Sequence, residues 1–261
     1  MIVPRASGNS PLRSENLKTP SVIAVIPARY GSSRLPAKAI AEIEGVPMVV
    51  RVWRQAAKAR ALRQVIVATD DERIATPVRE AGGEALITSH AHPSGTDRVA
   101  EVARRVPADI YLNVQGDLPF IDPADLDALA AAMCAEASVE MATLATPIVS
   151  GEEYRNPNVV KVVCDARGDA LYFSRAPIPM ARDGSGLPPG ALRHLGVYGY
   201  RRDFLLRFAS MAPGVLEQVE KLEQLRALER GCRIRVVASA APSLEVDTAE
   251  DLARARQLAA R

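Results

Sequence analysis

Aromatic side chains make up only 4% of this 261-residue chain, so there is little material for a surface that stacks bases. Charge of one sign is just as scarce. The 33 Lys and Arg against 31 Asp and Glu leave a formal +2, which gives no footing for bulk nucleic-acid binding. Cysteine is sparse: Cys134, Cys164 and Cys232 lie far apart without metal spacing, an odd set that fits a reducing compartment. No apolar run approaches the length that spans a bilayer, so membrane insertion is not expected. Residues 1–20 hold Pro4, Gly8, Pro11 and Pro20 among Ser, Asn and Arg and lack the apolar core of a secretory signal. They read as a flexible polar extension, and the protein as cytoplasmic. The Walker and Gly-x-Gly-x-x-Gly phosphate fingerprints are both missing. No Ser, Cys or His stands in a nucleophile–base arrangement, so a covalent intermediate is not indicated.

What is present is ordinary in bulk, at 48% hydrophobic and 25% charged, and long enough for one large soluble domain. The apolar run Val22 to Ile26 suits a strand covered on both faces of a parallel sheet. It leads into a small-residue loop, Gly31-Ser-Ser33, carrying Arg29, Arg34 and Lys38. Strands are expected at 64–69, 84–88, 109–114 and 139–145, alternating with helices at 48–59, from Asp70-Asp71 to Gly82-Gly83, at 97–105 and from Asp122-Pro123 to about 137. That alternation argues for a parallel, doubly wound sheet. The rhythm then changes. A hairpin over 158–164 and 170–174, a Gly/Pro-rich loop at 181–191 and a strand at 194–200 read as a β-rich insertion, residues 150–200, in a single α/β domain spanning 21–261. Helices at 201–211 and 215–230, a strand at 233–238 and a helix at 248–259 complete the chain.

Ligands of such sheets bind where the strands end, and the cations after Ile26 sit at that mouth. Small residues let backbone N–H groups approach a ligand, and Arg29, Arg34 and Lys38 supply charge for a polyphosphate. A solvated basic loop is the competing reading. Asp117, in Gln115-Gly-Asp-Leu-Pro119, falls just past a buried strand, where a carboxylate can coordinate Mg²⁺ or simply form a turn. Asp247, in Glu245-Val-Asp-Thr-Ala-Glu250, is placed either to cap a helix or to join Asp117 in clamping metal over a triphosphate. Ser94-Gly-Thr96 with Arg98 would either start a helix or read a base and ribose. Arg175, His194 and Tyr198 are polar groups on apolar strands. Glu217, Glu220 and Gln224 share one helical face by spacing, whose default explanation is solvation.

Together these segments resemble the 3-deoxy-manno-octulosonate cytidylyltransferases, the CMP-Kdo synthetases. The likeness runs over about residues 22–259. It rests on Ile26-Pro-Ala-Arg-Tyr30, Ser33-Arg-Leu-Pro36 with Lys38, Val67-Ala-Thr-Asp70, Ser94-Gly-Thr96, Asn113-Val-Gln-Gly-Asp117, Leu171-Tyr-Phe-Ser-Arg175, Arg193-His-Leu-Gly196, Leu222-Glu-Gln-Leu-Arg226 and Val246-Asp-Thr248, in the family's order. The resemblance implies a Rossmann-like nucleotide-diphospho-sugar transferase fold, a homodimer assembled through the insertion, and CTP plus Kdo giving CMP-Kdo and pyrophosphate. By position, Arg29, Arg34 and Lys38 match the phosphate-holding residues. Ser94, Thr96, Arg98 and Gln115 match the nucleoside side, with Gln115 shared with the sugar. Asp117 and Asp247 match Mg²⁺ ligands, and Arg175, His194, Tyr198, Glu217 and Gln224 match the sugar-acid pocket.

Two positions depart from the family's pattern. Leu118 stands where Glu is common beside the metal ligand. Ala37 stands where Gly is common, so the backbone there is expected to avoid positive φ. Other acidic sugars, such as a sialic-type acid or an amino variant of Kdo, remain alternative substrates. A non-catalytic sugar-nucleotide sensor on the same fold is the reading from another class, while the missing glycine fingerprint disfavours a dinucleotide-dependent oxidoreductase.

Overall fold

Alternation along β1 (Val22–Ala28) divides the molecule. Val22, Ala24 and Ile26 pack into one apolar cluster, and Ile23 and Val25 pack into a second on the opposite face, all nearly or wholly buried. Each buried valine or isoleucine contributes about 2 kcal/mol by leaving water. The computed structural model describes residues 19–31, 35–184, 186–239 and 244–260. Arg34, and the polar extension up to residue 18, lie outside the described residues.

After β1 come β2 (Glu42–Ile43), β3 (Val46–Pro47), α1 (Met48–Ala56), β4 (Gln64–Thr69), α2 (Glu72–Glu80), β5 (Glu84–Ile87), α3 (Gly95–Arg105), β6 (Ile110–Asn113), α4 (Pro123–Ala135) and β7 (Met141–Pro147). The second half adds α5 (Gly151–Arg155), β8 (Lys161–Cys164), β9 (Ala170–Ser174), β10 (Leu192–Arg201), α6 (Arg202–Ser210), α7 (Val215–Glu220), α8 (Leu225–Leu228), β11 (Ile234–Ala238) and α9 (Ala249–Ala259). Among the described residues the main sheet runs β11-β7-β10-β6-β1-β4-β5, with the β8–β9 hairpin joined through β10. Parallel pairs link β1 to β4 and β6, β4 to β5, and β7 to β11. Helices α1, α2 and α4 cover one face, and α3 and α6 cover the other. No helix among the described residues is long and apolar enough to cross a membrane.

The expected mostly parallel α/β sheet is therefore present, with two corrections. The strand at 194–200 is not peripheral: β10 lies between β6 and β7, antiparallel to both, so only the hairpin stands outside the main strand order. The expected helix at 215–230 is broken. Helix α7 stops at Glu220, Lys221 takes φ 55°, and α8 starts afresh, so Glu217, Glu220 and Gln224 do not share a helical face.

Candidate active site

A cleft of about 310 Å³ opens at the carboxyl ends of β1 and β6. Gly116 lets the two strand ends close together, since a Cβ there would meet the Pro27 carbonyl at 3.2 Å. Asp117 follows in the same turn. Its backbone carbonyl accepts from Val246 N at 3.0 Å, which draws the segment before α9 against the end of β6. Val246 is fully buried, so its neighbours Glu245 and Asp247 project the other way, into the cleft. Carboxylate oxygens of Asp117, Glu245 and Asp247 lie within 4.8 Å of one another. Asp117 Oδ1 is buried without a hydrogen-bond partner, an orphaned acceptor of the kind a bound cation would satisfy. The donor set, hard oxygens only, suits Mg²⁺.

Glu245 was not among the candidates, although its alternation with Asp247 about an apolar Val246 was visible. Leu118 turns into the core at 5% exposure, while Glu245 brings a third carboxylate from another segment. Desolvation by surrounding protein atoms, then the charges of Asp117 and Asp247, push Glu245 up to about 7. Its side chain is exposed at the mouth of the cleft, where it stays within reach of the Asp117 and Asp247 charges.

Lys38 sits on a single 3-10 turn and donates to Asp117 Oδ2 at 2.6 Å and Asp247 Oδ1 at 2.9 Å. Desolvation works against its ammonium, but the two carboxylates outweigh it and raise its pKa. Just before it, Ala37 takes φ 55°, ψ 30°, which corrects the expectation that this position avoids positive φ. The turn needs a left-handed residue to aim Lys38 inward, and alanine bears the strain. Arg29 lines the cleft, exposed, with no ion pair among the described residues.

Ser94, Arg98 and Gln115 also line the cleft. Ser94 caps α3, with its hydroxyl bonded to Asp97. Arg98 is 4% exposed and is held by Thr88 and by Asp70 Oδ2 at 3.1 Å, so it is anchored in the wall. Thr96 faces away and donates to Glu223 at 2.6 Å. His92, another residue not foreseen, lines the cleft opposite and pairs with Glu101 through Nε2.

None of Arg175, His194, Tyr198, Glu217 and Gln224 lines this cleft. His194, Tyr198 and Gln224 do come together, all three buried. Tyr198 lies opposite Asn113 on β6, its hydroxyl donates to Gln224 Oε1 at 3.1 Å, and the His194 ring is 5.4 Å from the Tyr198 ring. Thr143 gives its hydroxyl proton to the Val197 carbonyl at 2.7 Å, so His194 Nε2 must donate to Thr143 Oγ1 at 3.0 Å. Burial first, then Arg193, lowers His194 to about 3, so the ring is neutral. Arg175 is tied to the Glu220 and Pro157 carbonyls. The Glu217 carboxylate is committed to Arg226, at 2.6 and 2.8 Å, and to Gly214 N.

Comparison with known proteins agrees with this geometry. The sequence pattern of the cytidylyltransferase family matches residues 23–234. The chain is 54% identical over 240 residues to a 3-deoxy-manno-octulosonate cytidylyltransferase of Geobacter metallireducens, covering 88% of this chain and 94% of that one. A protein of the same name from Syntrophotalea carbinolica is 52% identical over 90% of this chain and 96% of its own. A solved CMP:2-keto-3-deoxy-manno-octonic acid synthetase in complex with CTP superposes with a TM-score of 0.87 at 43% identity, over 92% of this chain and 98% of that one. A cytidylyltransferase of Leptospira borgpetersenii, 17% identical with a TM-score of 0.62 over 90% of this chain and 85% of its own, shares the fold. The chain belongs to the 3-deoxy-manno-octulosonate cytidylyltransferase family.

Proposed function

We propose that this chain joins CTP to 3-deoxy-D-manno-octulosonate, releasing pyrophosphate and activating the sugar acid for lipopolysaccharide synthesis. The sugar's anomeric hydroxyl attacks the α-phosphorus in line. A new O–P bond forms, the bond to the bridging oxygen breaks, the hydroxyl proton is released to solvent, and pyrophosphate leaves with its electron pair. Arg29 and Lys38 face the departing phosphates and neutralise charge as it develops, with Arg34 assigned the same task. Ser94, Arg98 and Gln115 flank the nucleoside side, and Thr96 steadies the start of α3 through Glu223. Asp117 and Asp247 would hold Mg²⁺, with Glu245 beside them. When bound, the ion supplies charge neutralisation at the α-phosphate and a lower pKa for the attacking hydroxyl.

The observation that carries this reading is the three-carboxylate cluster with its orphaned Asp117 oxygen, set against Lys38. A second observation favours a polyhydroxylated acid. Asn113 Oδ1 and Gln224 Nε2 are buried without partners on either side of Tyr198, and a sugar hydroxyl both donates and accepts. His194 and Tyr198 border these atoms, while Arg175 and Glu217 are held by other partners.

The exposed Val149, Leu171 and Met180 on and beside the hairpin support a homodimer formed there, and three free cysteines support a reducing, cytoplasmic setting. Pyrophosphate release from CTP, measured with and without Mg²⁺ against Kdo, an 8-amino variant and a sialic-type acid, tests the assignment. Release dependent on Kdo and the metal is expected. Release no greater with Kdo than with CTP alone would refute it, and sedimentation as a monomer would refute the dimer.

A further inference from the structure

Lys38 holds one oxygen of Asp117 and one of Asp247, carboxylates that a divalent ion would also need. Its ammonium is within contact of Asp117 Oδ2 and Asp247 Oδ1, two of the three carboxylates whose oxygens cluster within 4.8 Å. Without a cation these carboxylates would repel one another, and Lys38 supplies one from within the chain. An ammonium and a doubly charged ion cannot both sit against the same carboxylates without strong mutual repulsion. Free metal would therefore either bind against the ammonium's repulsion or dislodge Lys38 and strand its charge in a partly buried cleft, where Lys38 is only 19% exposed.

A triphosphate changes the balance. It offers Lys38 new anionic partners and brings charge to offset the metal. The means of transfer are local. The Lys38 backbone is pinned by its N–H to the Leu35 carbonyl at 3.1 Å, and the Ala41 N–H closes onto the Lys38 carbonyl at 3.1 Å. The flexible four-carbon stem is free to swing from that fixed base. Two of the three ammonium protons are used on carboxylates, which leaves one for an incoming phosphate oxygen.

We propose that this site accepts its divalent ion as the metal–nucleotide complex and not as the free ion, with Lys38 serving as an internal placeholder cation that the triphosphate draws off the carboxylates. The proposal rests on the nucleotidyl-transfer reading of the cleft but not on the identity of the sugar.

Mn²⁺ is the probe, followed by loss of the free-ion electron paramagnetic resonance signal, with no sugar present. The wild-type chain should bind Mn²⁺ weakly alone and retain it tightly with CTP, the latter read as Mn²⁺ held by the protein in equilibrium dialysis against a protein-free Mn²⁺–CTP control. Lys38→Met removes the placeholder and should bind Mn²⁺ alone at least about tenfold more tightly than wild type, because two charge-assisted hydrogen bonds no longer compete. Lys38→Arg should stay weak. Adding Asp117→Asn to Lys38→Met should abolish the gain, which ties it to these carboxylates. Circular dichroism and a melting curve check the fold, and Lys38→Gln replaces Lys38→Met if the latter misfolds. Free-Mn²⁺ affinity in the methionine or glutamine variant equal to or below wild type would overturn the proposal. Pyrophosphate release is assayed separately on the wild type. A chain that shows the Mn²⁺ gain but releases none keeps the exchange and loses the reaction, and the converse sinks only the exchange.

Discussion

Lowering the pH from 7 to 5 should cost the folded protein about 2 kcal/mol through His194 alone. The imidazole lies on β10 with its Nε2–H on Thr143 and its ring edge-to-face with Phe173 at 5.0 Å. It is 8% exposed, and burial, with Arg193 adding to it, pushes its pKa from 6.5 down to about 3. In the unfolded chain the ring keeps its ordinary value. At pH 7 both states hold it neutral and nothing is lost. As pH falls through the unfolded value, the unfolded chain takes up a proton that the native site refuses. Stability then drops by about 1.4 kcal/mol per pH unit until the folded value is reached. At pH 5 the span is about 1.5 units, which gives about 2 kcal/mol. A folded value one unit higher barely changes this, because pH 5 would still lie above it. Glu245, raised to about 7, protonates in the same window with the opposite sign, so the difference between wild type and a His194 variant is what isolates the imidazole. Urea denaturation at pH 7, 6 and 5 reads the effect as a difference of about 1 M between the midpoint shifts of wild type and His194→Gln, at unchanged slope. His194→Gln, which cannot titrate, should lose about 2 kcal/mol less than wild type over the same range. Equal losses in the two proteins would refute the burial argument.

Three further outcomes follow from single residues. Ala37→Gly should raise stability by up to about 1 kcal/mol. It relieves about 1–2 kcal/mol of left-handed strain against about 0.5–1 kcal/mol of added unfolded-state freedom, for a melting temperature higher by about 2–4 °C; a lower melting temperature would contradict the φ of 55° at Ala37. Lys161→Met should cost about 1–3 kcal/mol in urea denaturation, the penalty of stranded buried acceptors less the relief of removing a buried charge. The fully buried ammonium binds the carbonyls of Asn156 at 2.9 Å, Arg175 at 2.6 Å and Val159, and all three would lose their donor; a loss under about 1 kcal/mol would show that they find other partners. Asp117→Asn should slow turnover about a thousandfold while leaving sugar affinity nearly unchanged, and a near-normal rate would remove Asp117 from the metal site.

Much of the fold is legible because its signals are local. Val22 to Ile26 has no polar interruption and becomes a strand covered on both faces. Asp71 and Asp122 cap α2 and α4 through the N–H groups of Arg73 and Ala124, as short acceptors ahead of helices should. Thr248 caps α9 with Asp251 and not with Glu250, a one-residue difference set by which carboxylate reaches the Thr248 N–H. The failures share a cause, which is a tertiary partner that no spacing reveals. Helical periodicity over 215–230 is continuous on paper. Yet Glu217 is taken by Arg226 and Glu220 by Ser174 and Arg175, and the chain turns through a left-handed Lys221 to make both pairs. The place of β10 in the middle of the sheet was likewise hidden, because an antiparallel strand inserted between parallel ones leaves no mark on its own alternation.

The cationic loop and the acidic segments illustrate the same divide at the level of chemistry. Residue types announce a polyphosphate site: Arg29 and Lys38 after one strand, Asp117 after another, Asp247 before the last helix. What they do not announce is the hydrogen bond from Val246 N to the Asp117 carbonyl, which converts two distant acidic segments into one cluster and brings Glu245 with Asp247. That single backbone contact makes the number of carboxylates a property of how the segment before α9 alternates about Val246 and not of any one motif. It also explains how the turn after β6 can carry Leu118 without leaving the cluster short of acid. Substituting Val246 with a polar residue would disturb the cluster without touching a ligand, because the buried valine side chain is what keeps Glu245 and Asp247 facing outward together.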